Sequence, residues 1–127
     1  MKSFDKLAMF NIAVKDIDIV KKFYEDILGF KTIAEQKYDN GWHFIKMEVP
    51  GGTGINLIKE HKDEPMKAGV MKLYLSTSNI EDAFKDLKAK GVKPTSEIKN
   101  DHWDKPLKWF GFTDPDGNQW IVVQFAD

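Results

Sequence analysis

Residues 16–31 read DIDIVKKFYEDILGFK, and residues 79–93 read NIEDAFKDLKAKGVK. Each stretch opens at a helix-capping side chain, carries an apolar stripe, and closes on a glycine. In the first, Ile17, Val20, Phe23, Tyr24, Ile27 and Leu28 recur at spacings of three and four, one face of a helix. Asp16 is its N-cap, and Gly29 supplies the left-handed residue that helix ends favour. In the second, Ser78-Asn79-Ile80-Glu81 reads as a capping box. Ile80, Ala83, Phe84 and Leu87 form the stripe, and Gly91 ends it. Asp16-Ile17-Asp18 thus corresponds to Asn79-Ile80-Glu81, and Leu28-Gly29-Phe30-Lys31 to Lys90-Gly91-Val92-Lys93. A repeat of this length points to two similar units that share a core or cavity.

Strands are expected around both helices. Leu7 to Val14 alternates, with Ala8, Phe10, Ile12 and Val14 on one face and Leu7, Met9, Asn11 and Ala13 on the other. Phe30–Gln36 follows the first helix. Trp42–Val49 comes after the Asp39-Asn40-Gly41 turn, and Gly54–Lys59 after Pro50-Gly51-Gly52-Thr53. Val70–Ser76 precedes the second helix, and Val92–Lys99, Lys108–Thr113 and Gln119–Phe125 come after it. The tight turn Asp114-Pro115-Asp116-Gly117-Asn118 joins the last two. The expected class is α+β: two βαβββ modules, about 5–60 and 70–126, joined by the charged linker 60–69 with Pro65 inside it.

With 127 residues there is room for one compact domain built from these modules. A hydrophobic share of 42% with 31% charged residues is that of a globular chain, not a disordered one. The net charge of −1 gives no basic field for nucleic acid or an anionic membrane. Lysines alternate with carboxylates, as in Lys85-Asp86 and Glu97-Lys99, and read as solvated surface. The absence of cysteine removes disulfides, thiolate metal sites and a cysteine nucleophile. No apolar run reaches the roughly 20 residues of a membrane span, and Met1 to Lys6 lacks a leader's apolar core. A cytoplasmic protein is the default expectation.

Two motifs carry a family resemblance. Val14-Lys15-Asp16-Ile17 leads to Phe23-Tyr24-Glu25-Asp26-Ile27-Leu28-Gly29-Phe30, and Phe112-Thr113-Asp114-Pro115-Asp116-Gly117-Asn118-Gln119-Trp120 lies near the other end. With Ala89-Lys90-Gly91-Val92 they resemble the vicinal-oxygen-chelate superfamily of glyoxalase I, bleomycin-binding proteins and extradiol dioxygenases. The resemblance spans nearly the whole chain. It is specific to the fold and poorly specific to the activity. It implies two curved four-stranded sheets paired edge to edge, with helices outside, a ligand cavity within, and a homodimer. Sheets with open edges fit a homodimer as well.

In metal-using members, the resemblance implies ligands on the first and fourth strands of each module. The matching positions here are Met9, Asn56, Lys72 and Ile121. A thioether, an amide, an ammonium and an alkyl group do not make a hard, charged cation site. A one-residue slip offers Ala8 or Phe10 and Met71 or Leu73 instead, and none of these restores it. His43 is read on a strand edge, and His61 and His102 in polar loops. No metal and no cofactor is expected.

The expected inward positions are Met9, Asn11, Asn56, Ile58, Lys72, Tyr74, Ile121 and Val123. Apolar walls with a few polar groups are the makings of a small-molecule pocket. The alternative is a filled interior whose polar groups bond one another. Of the indoles Trp42, Trp103, Trp109 and Trp120, any can stack on a planar ligand, while Phe23, Phe84 and Trp120 suit the helix–sheet core. Trp103, in the polar stretch 100–106, is either a lid or anchor, or simply exposed. Gly51-Gly52-Thr53-Gly54 reads as a hairpin turn, lacking the Lys-Ser/Thr and helix of a phosphate loop. No serine sits in a nucleophile elbow.

Two functions stay open: metal-free binding of a small organic molecule, or a lyase or isomerase related to the glyoxalases. In the second, Lys72 or Tyr74 is the acid or base and the asparagines hold an oxyanion.

Overall fold

The structure is a computed structural model that describes residues 3–126. Met1 and Lys2, from the stretch read above for a leader, and Asp127 lie outside the described residues. Helix α1 (Ile17–Asp26) forms where the cap and stripe place it. Asp16 Oδ1 accepts a bond of 3.2 Å from Ile19 N, and Ile17, Val20 and Tyr24 are buried. At the other end Gly29 takes φ +74°. The chain there turns back so that Phe30 N donates to Tyr24 O at 3.0 Å, and the two rings pack 5.8 Å apart.

Helix α2 (Ile80–Ala89) repeats the pattern with one correction. Its N-cap is Asn79, not Ser78. Asn79 Oδ1 accepts from Asp82 N at 3.1 Å, and Asn79 Nδ2 donates to Asp82 Oδ2 at 2.9 Å. The helix starts one residue later than the Ser78–Glu81 box requires, because Asn79 itself is extended and its amide reaches the orphan N–H. Gly91, at φ +87°, lets Val92 N close back on Leu87 O at 2.9 Å.

Around α1 lie β1 (Met9–Val14), β2 (Lys31–Lys37), β3 (His43–Glu48) and β4 (Gly54–Lys59), in the sheet order β1-β4-β3-β2. Around α2 lie β5 (Lys72–Ser76), β6 (Lys99–His102), β7 (Pro106–Thr113) and β8 (Gln119–Phe125), in the order β5-β8-β7-β6. In each sheet the first and last strands of the module pair parallel, and the other neighbours are antiparallel. The chain divides into two compact units at the Gly69–Val70 bond.

Each unit has its own core. In the first, the register sets Ile12 and Ile45 beside Leu57 and Met47 beside Ile55, all buried. In the second, Phe110 pairs with Val122 and meets Phe84 of α2 edge-on at 5.1 Å. Burying each such side chain contributes about 1.5–3 kcal/mol. Phe23 and Phe84 are only half-buried, while Trp120 is fully inside, stacked on Phe112 at 6.2 Å. No helix among the described residues is long and apolar enough to cross a membrane.

The largest departure from the expected strands is β6. Residues 92–98 form a loop instead of a strand, and the strand lies at Lys99–His102. Pro94 has no N–H to give a ladder, and the loop is held to β7 by Thr95 N donating to Gly111 O at 2.8 Å. The expected polar loop at 100–106 is therefore the tip of a hairpin in which His102 faces Pro106, the first residue of β7. Strands β4 and β8 have the expected bounds, and the remaining strands differ from expectation by one or two residues at their ends. Strand β2 also carries a bulge between Thr32 and Ala34.

Candidate functional site

In β5, alternation puts Lys72 and Tyr74 on one face. The parallel register with β8 sets Tyr74 beside Ile121, and the antiparallel register with β7 sets Val123 beside Trp109. Lys99 of β6 is paired with Trp109 in turn. All these side chains are on the face turned away from Phe110 and α2. The floor of that face is a buried cluster of Leu107, Ile121 and Val123, with Trp109 and Phe125 packed against it.

Above the floor is a cavity of about 430 Å³, all of it within the second module. Lys72, Tyr74, Trp103, Trp109 and Ile121 line it, joined by Lys99 and Asp101 of β6. Thr95 and Ser96 of the 92–98 loop wall it, with Thr113 and Gln119 nearby. The loop lies hard against the sheet at Gly111. A Cβ built there falls 2.6 Å from Thr95 Oγ1, so only glycine lets the loop approach so closely. Ser96 Oγ is buried and has no hydrogen-bond partner among the described residues.

Trp103 is 43% exposed but not loose. Its Nε1 donates to Asp101 Oδ2 at 3.3 Å, and its backbone N donates to Lys105 O at 3.1 Å. The indole meets the Tyr74 ring edge-on at 5.8 Å and the Phe125 ring at 6.3 Å. Lys99 Nζ is 5.4 Å from the centre of the Trp109 ring, and Lys72 Nζ is 6.0 Å from that of Tyr74.

Of the residues singled out from sequence, Lys72, Tyr74, Trp103 and Ile121 line this one cavity, and Val123 is buried next to Ile121 without lining it. Met9, Asn11, Asn56 and Ile58 belong to the first module. There Asn56 Nδ2 donates to Asn11 Oδ1 at 3.2 Å, Ile58 is buried, and Met9 is partly exposed. The two asparagines thus spend part of their bonding capacity on each other. Lys99 and Asp101 were missed as site residues, because a strand placed at 92–99 leaves them reading as surface and loop. The alternation that finds them appears only when the strand starts at Lys99.

A second depression, of about 500 Å³, lies in the first module among Lys15, Asp16, Asp18, Lys37, Trp42 and Lys59. Its three lysines share the wall with Asp16 and Asp18. The face of Trp42 is already stacked on His61 at 4.3 Å and on Phe44 at 5.6 Å. The second-module cavity therefore has the better-placed chemistry.

The histidines need correcting. His43 is not on a strand edge: β3 is an interior strand, and the ring is buried with Nε2 2.7 Å from Glu35 Oε2. His102 is in β6, not a loop. His61 is a loop residue, held through Nε2 to Asn40 O at 3.0 Å and through Nδ1, which accepts from Asp63 N at 3.1 Å. The His43 bond, followed by the one from Lys21 Nζ, holds the Glu35 carboxyl below the usual carboxylate range. The same bond to Glu35 raises Lys21.

For the divalent ion that the expected fold implies, the side chains at Met9, Asn56, Lys72 and Ile121 do not fit. They offer no carboxylate or imidazole, and Lys72 brings a competing positive charge. Among the described residues no group of three His, Asp or Glu side chains converges on a point.

The family model of the Glyoxalase/Bleomycin resistance protein/Dioxygenase superfamily matches residues 6–122. The chain belongs to that superfamily. A solved superfamily member from Sphaerobacter thermophilus DSM 20745 is 27% identical, with a TM-score of 0.79 over 95% of this chain and 98% of that one. An integron cassette protein from the mobile metagenome of V. cholerae is 26% identical, with a TM-score of 0.77 over 99% of each chain. TnmS3, an antibiotic binding protein from Streptomyces sp. CB03234, shares the fold at 24% identity, with a TM-score of 0.79 over 99% of this chain and all of its own. No curated protein matches the sequence. For this superfamily member the two-sheet βαβββ architecture is thus secured twice, by the family model and by solved structures.

Proposed function

We propose that the chain is a metal-independent binding protein for a small organic molecule, which lies on the face of the β5–β8 sheet turned away from α2. The observation that carries this is the 430 Å³ cavity, walled by Tyr74, Trp103 and Trp109 over a buried apolar floor. Its volume is within the range of about 300–1,000 Å³ that takes small ligands, and apolar walls with a few polar groups are what such sites use. The poor fit of Met9, Asn56, Lys72 and Ile121 to a cation supports metal independence. The fold shared with an antibiotic binding protein supports sequestration as a use of the same architecture. A homodimer belongs to the same proposal. Each sheet ends on edge strands, and Phe4, Leu7 and Val70 are large exposed apolar side chains.

A thermal-shift screen against a small-molecule library, run with chelator and again with added divalent metals, tests the reading. A ligand at about 100 times its Kd adds about 2.7 kcal/mol to stability. That gain should be the same in chelator. Metal-dependent turnover of a hemithioacetal or a catechol would refute the proposal. Metal-free turnover of a carbonyl compound, lost in Lys72→Ala, would place the same site among lyases or isomerases.

A further inference from the structure

The charges and rings around the second-module cavity say which class of molecule it selects. We propose that the ligand is a flat aryl carboxylate, its ring lying along the Trp103 and Trp109 indoles and its carboxylate meeting Lys72 and Lys99. This inference rests on the binding reading given above.

Charge decides against a cation. Two ammoniums, Lys72 and Lys99, stand at the wall with no carboxylate partner among the described residues. The nearby carboxylate is already engaged: Asp101 Oδ2 accepts from Trp103 Nε1, and Oδ1 from His102 N at 2.8 Å. Both ammoniums rest over ring faces instead, Lys99 over Trp109 and Lys72 over Tyr74. That contact is weak at a solvated site, and a charge-assisted bond to a carboxylate is stronger. An arriving anion therefore draws each ammonium off its ring and frees the ring face for stacking. A cationic ligand gains the same ring faces but meets two ammoniums against the single Asp101 carboxylate, a net repulsion that an anion turns into attraction.

Shape decides for a planar ring. Trp103 is held by its Asp101 and Lys105 bonds, so its indole is a fixed wall. Trp109 is packed on the buried floor and is equally fixed. Rigid indoles reward flat partners, because little side-chain entropy is lost when a ring stacks on them. The cavity's volume admits fused two-ring compounds.

Four probes test the class on the full chain: 3-hydroxy-2-naphthoate, its neutral carboxamide, cyclohexanecarboxylate, and 2-(aminomethyl)naphthalene. Binding is read by tryptophan quenching and located by amide NMR shifts. The naphthoate should bind about tenfold or more tighter than any of the other three. Lys72→Met and Lys99→Met should each weaken naphthoate binding about fivefold and change carboxamide binding by clearly less. Equal affinity for the carboxamide or the cation, with shifts at residues 72, 99, 109 and 121, would overturn the class and leave the cavity's binding role standing. Unchanged naphthoate affinity in the Lys72→Met/Lys99→Met double variant would do the same. If no probe of any charge moves those amides, the aryl-carboxylate class and the binding reading both fall.

Discussion

Gly111→Ala is the sharpest test of how the cavity wall is built. The added methyl carbon would lie 2.6 Å from Thr95 Oγ1, 3.4 Å from Ile121 Cδ1 and 3.5 Å from Trp120 O. The contact with Thr95 is about 0.8 Å short of an ordinary one (3.4 − 2.6 Å). Thr95 is also tied to the same residue through its N–H, which donates to Gly111 O at 2.8 Å. The loop must therefore either rotate the Thr95 side chain against its β-branched preference or lift off the sheet. Overpacking of this kind costs about 1–3 kcal/mol, and losing the backbone bond a further 0.5–1.5 kcal/mol or so. Urea unfolding should show the loss. Thr95→Ala in the same chain removes the offending oxygen and should recover most of it, a positive coupling that a double-mutant cycle measures. Because Thr95 and Ser96 wall the cavity, ligand affinity should fall in Gly111→Ala and return in the double variant. A Gly111→Ala chain as stable as the parent, or one that Thr95→Ala does not rescue, would refute the close-approach reasoning.

Other consequences are open to the same assays. Asn118→Ala removes the acceptor of Met71 N and the donor to Asp114 Oδ2, both at buried or half-buried sites, and should cost about 1–3 kcal/mol in chemical denaturation. Asn79→Ala should lower stability by about 1 kcal/mol while Ser78→Ala changes it little, the reverse of what a Ser78 cap requires. Glu35→Gln probes pH. The Glu35 carboxyl is held low, so its stabilising contribution is full above its ordinary value of about 4.3 and is lost as pH falls through the lowered folded-state value. With the Glu35 side chain 31% exposed, the difference between parent and variant at neutral pH should be under about 1 kcal/mol. It should shrink on acidification, and a pH-independent difference would contradict the assignment.

The site was legible where local signals and strand parity coincide. Counting back from Asn79, the residue that corresponds to Asp16 in the repeat, placed Lys72 and Tyr74 on one face, and the Gln119–Phe125 alternation placed Ile121 and Val123 beside them. Residues 99–102, Lys-Asn-Asp-His, have no strand propensity and form a strand only because β7 offers them a ladder. Val92 to Lys99 has more strand character, yet Pro94 and the pull of Gly111 keep it a loop. Lys99 and Asp101 were therefore hidden until pairing was known. His43 was misread for a related reason: a histidine on a strand looks exposed until Glu35, eight residues earlier, is seen across the β2–β3 ladder.

Short-range chemistry alone determined the duplication and both helices with their glycine stops, and the residue types at the four positions that the family resemblance singles out include no hard donor set. Each of these rests on residues within a few places of one another, or on the chemical type at a counted position. Tertiary structure decided which polar groups satisfy each other, as Asn11 and Asn56 do, and which are left facing a cavity, as Lys72 and Lys99 are. It also decided that Trp103 is clamped by Asp101 and not loose. Those outcomes depend on distances between strands, which no local pattern encodes.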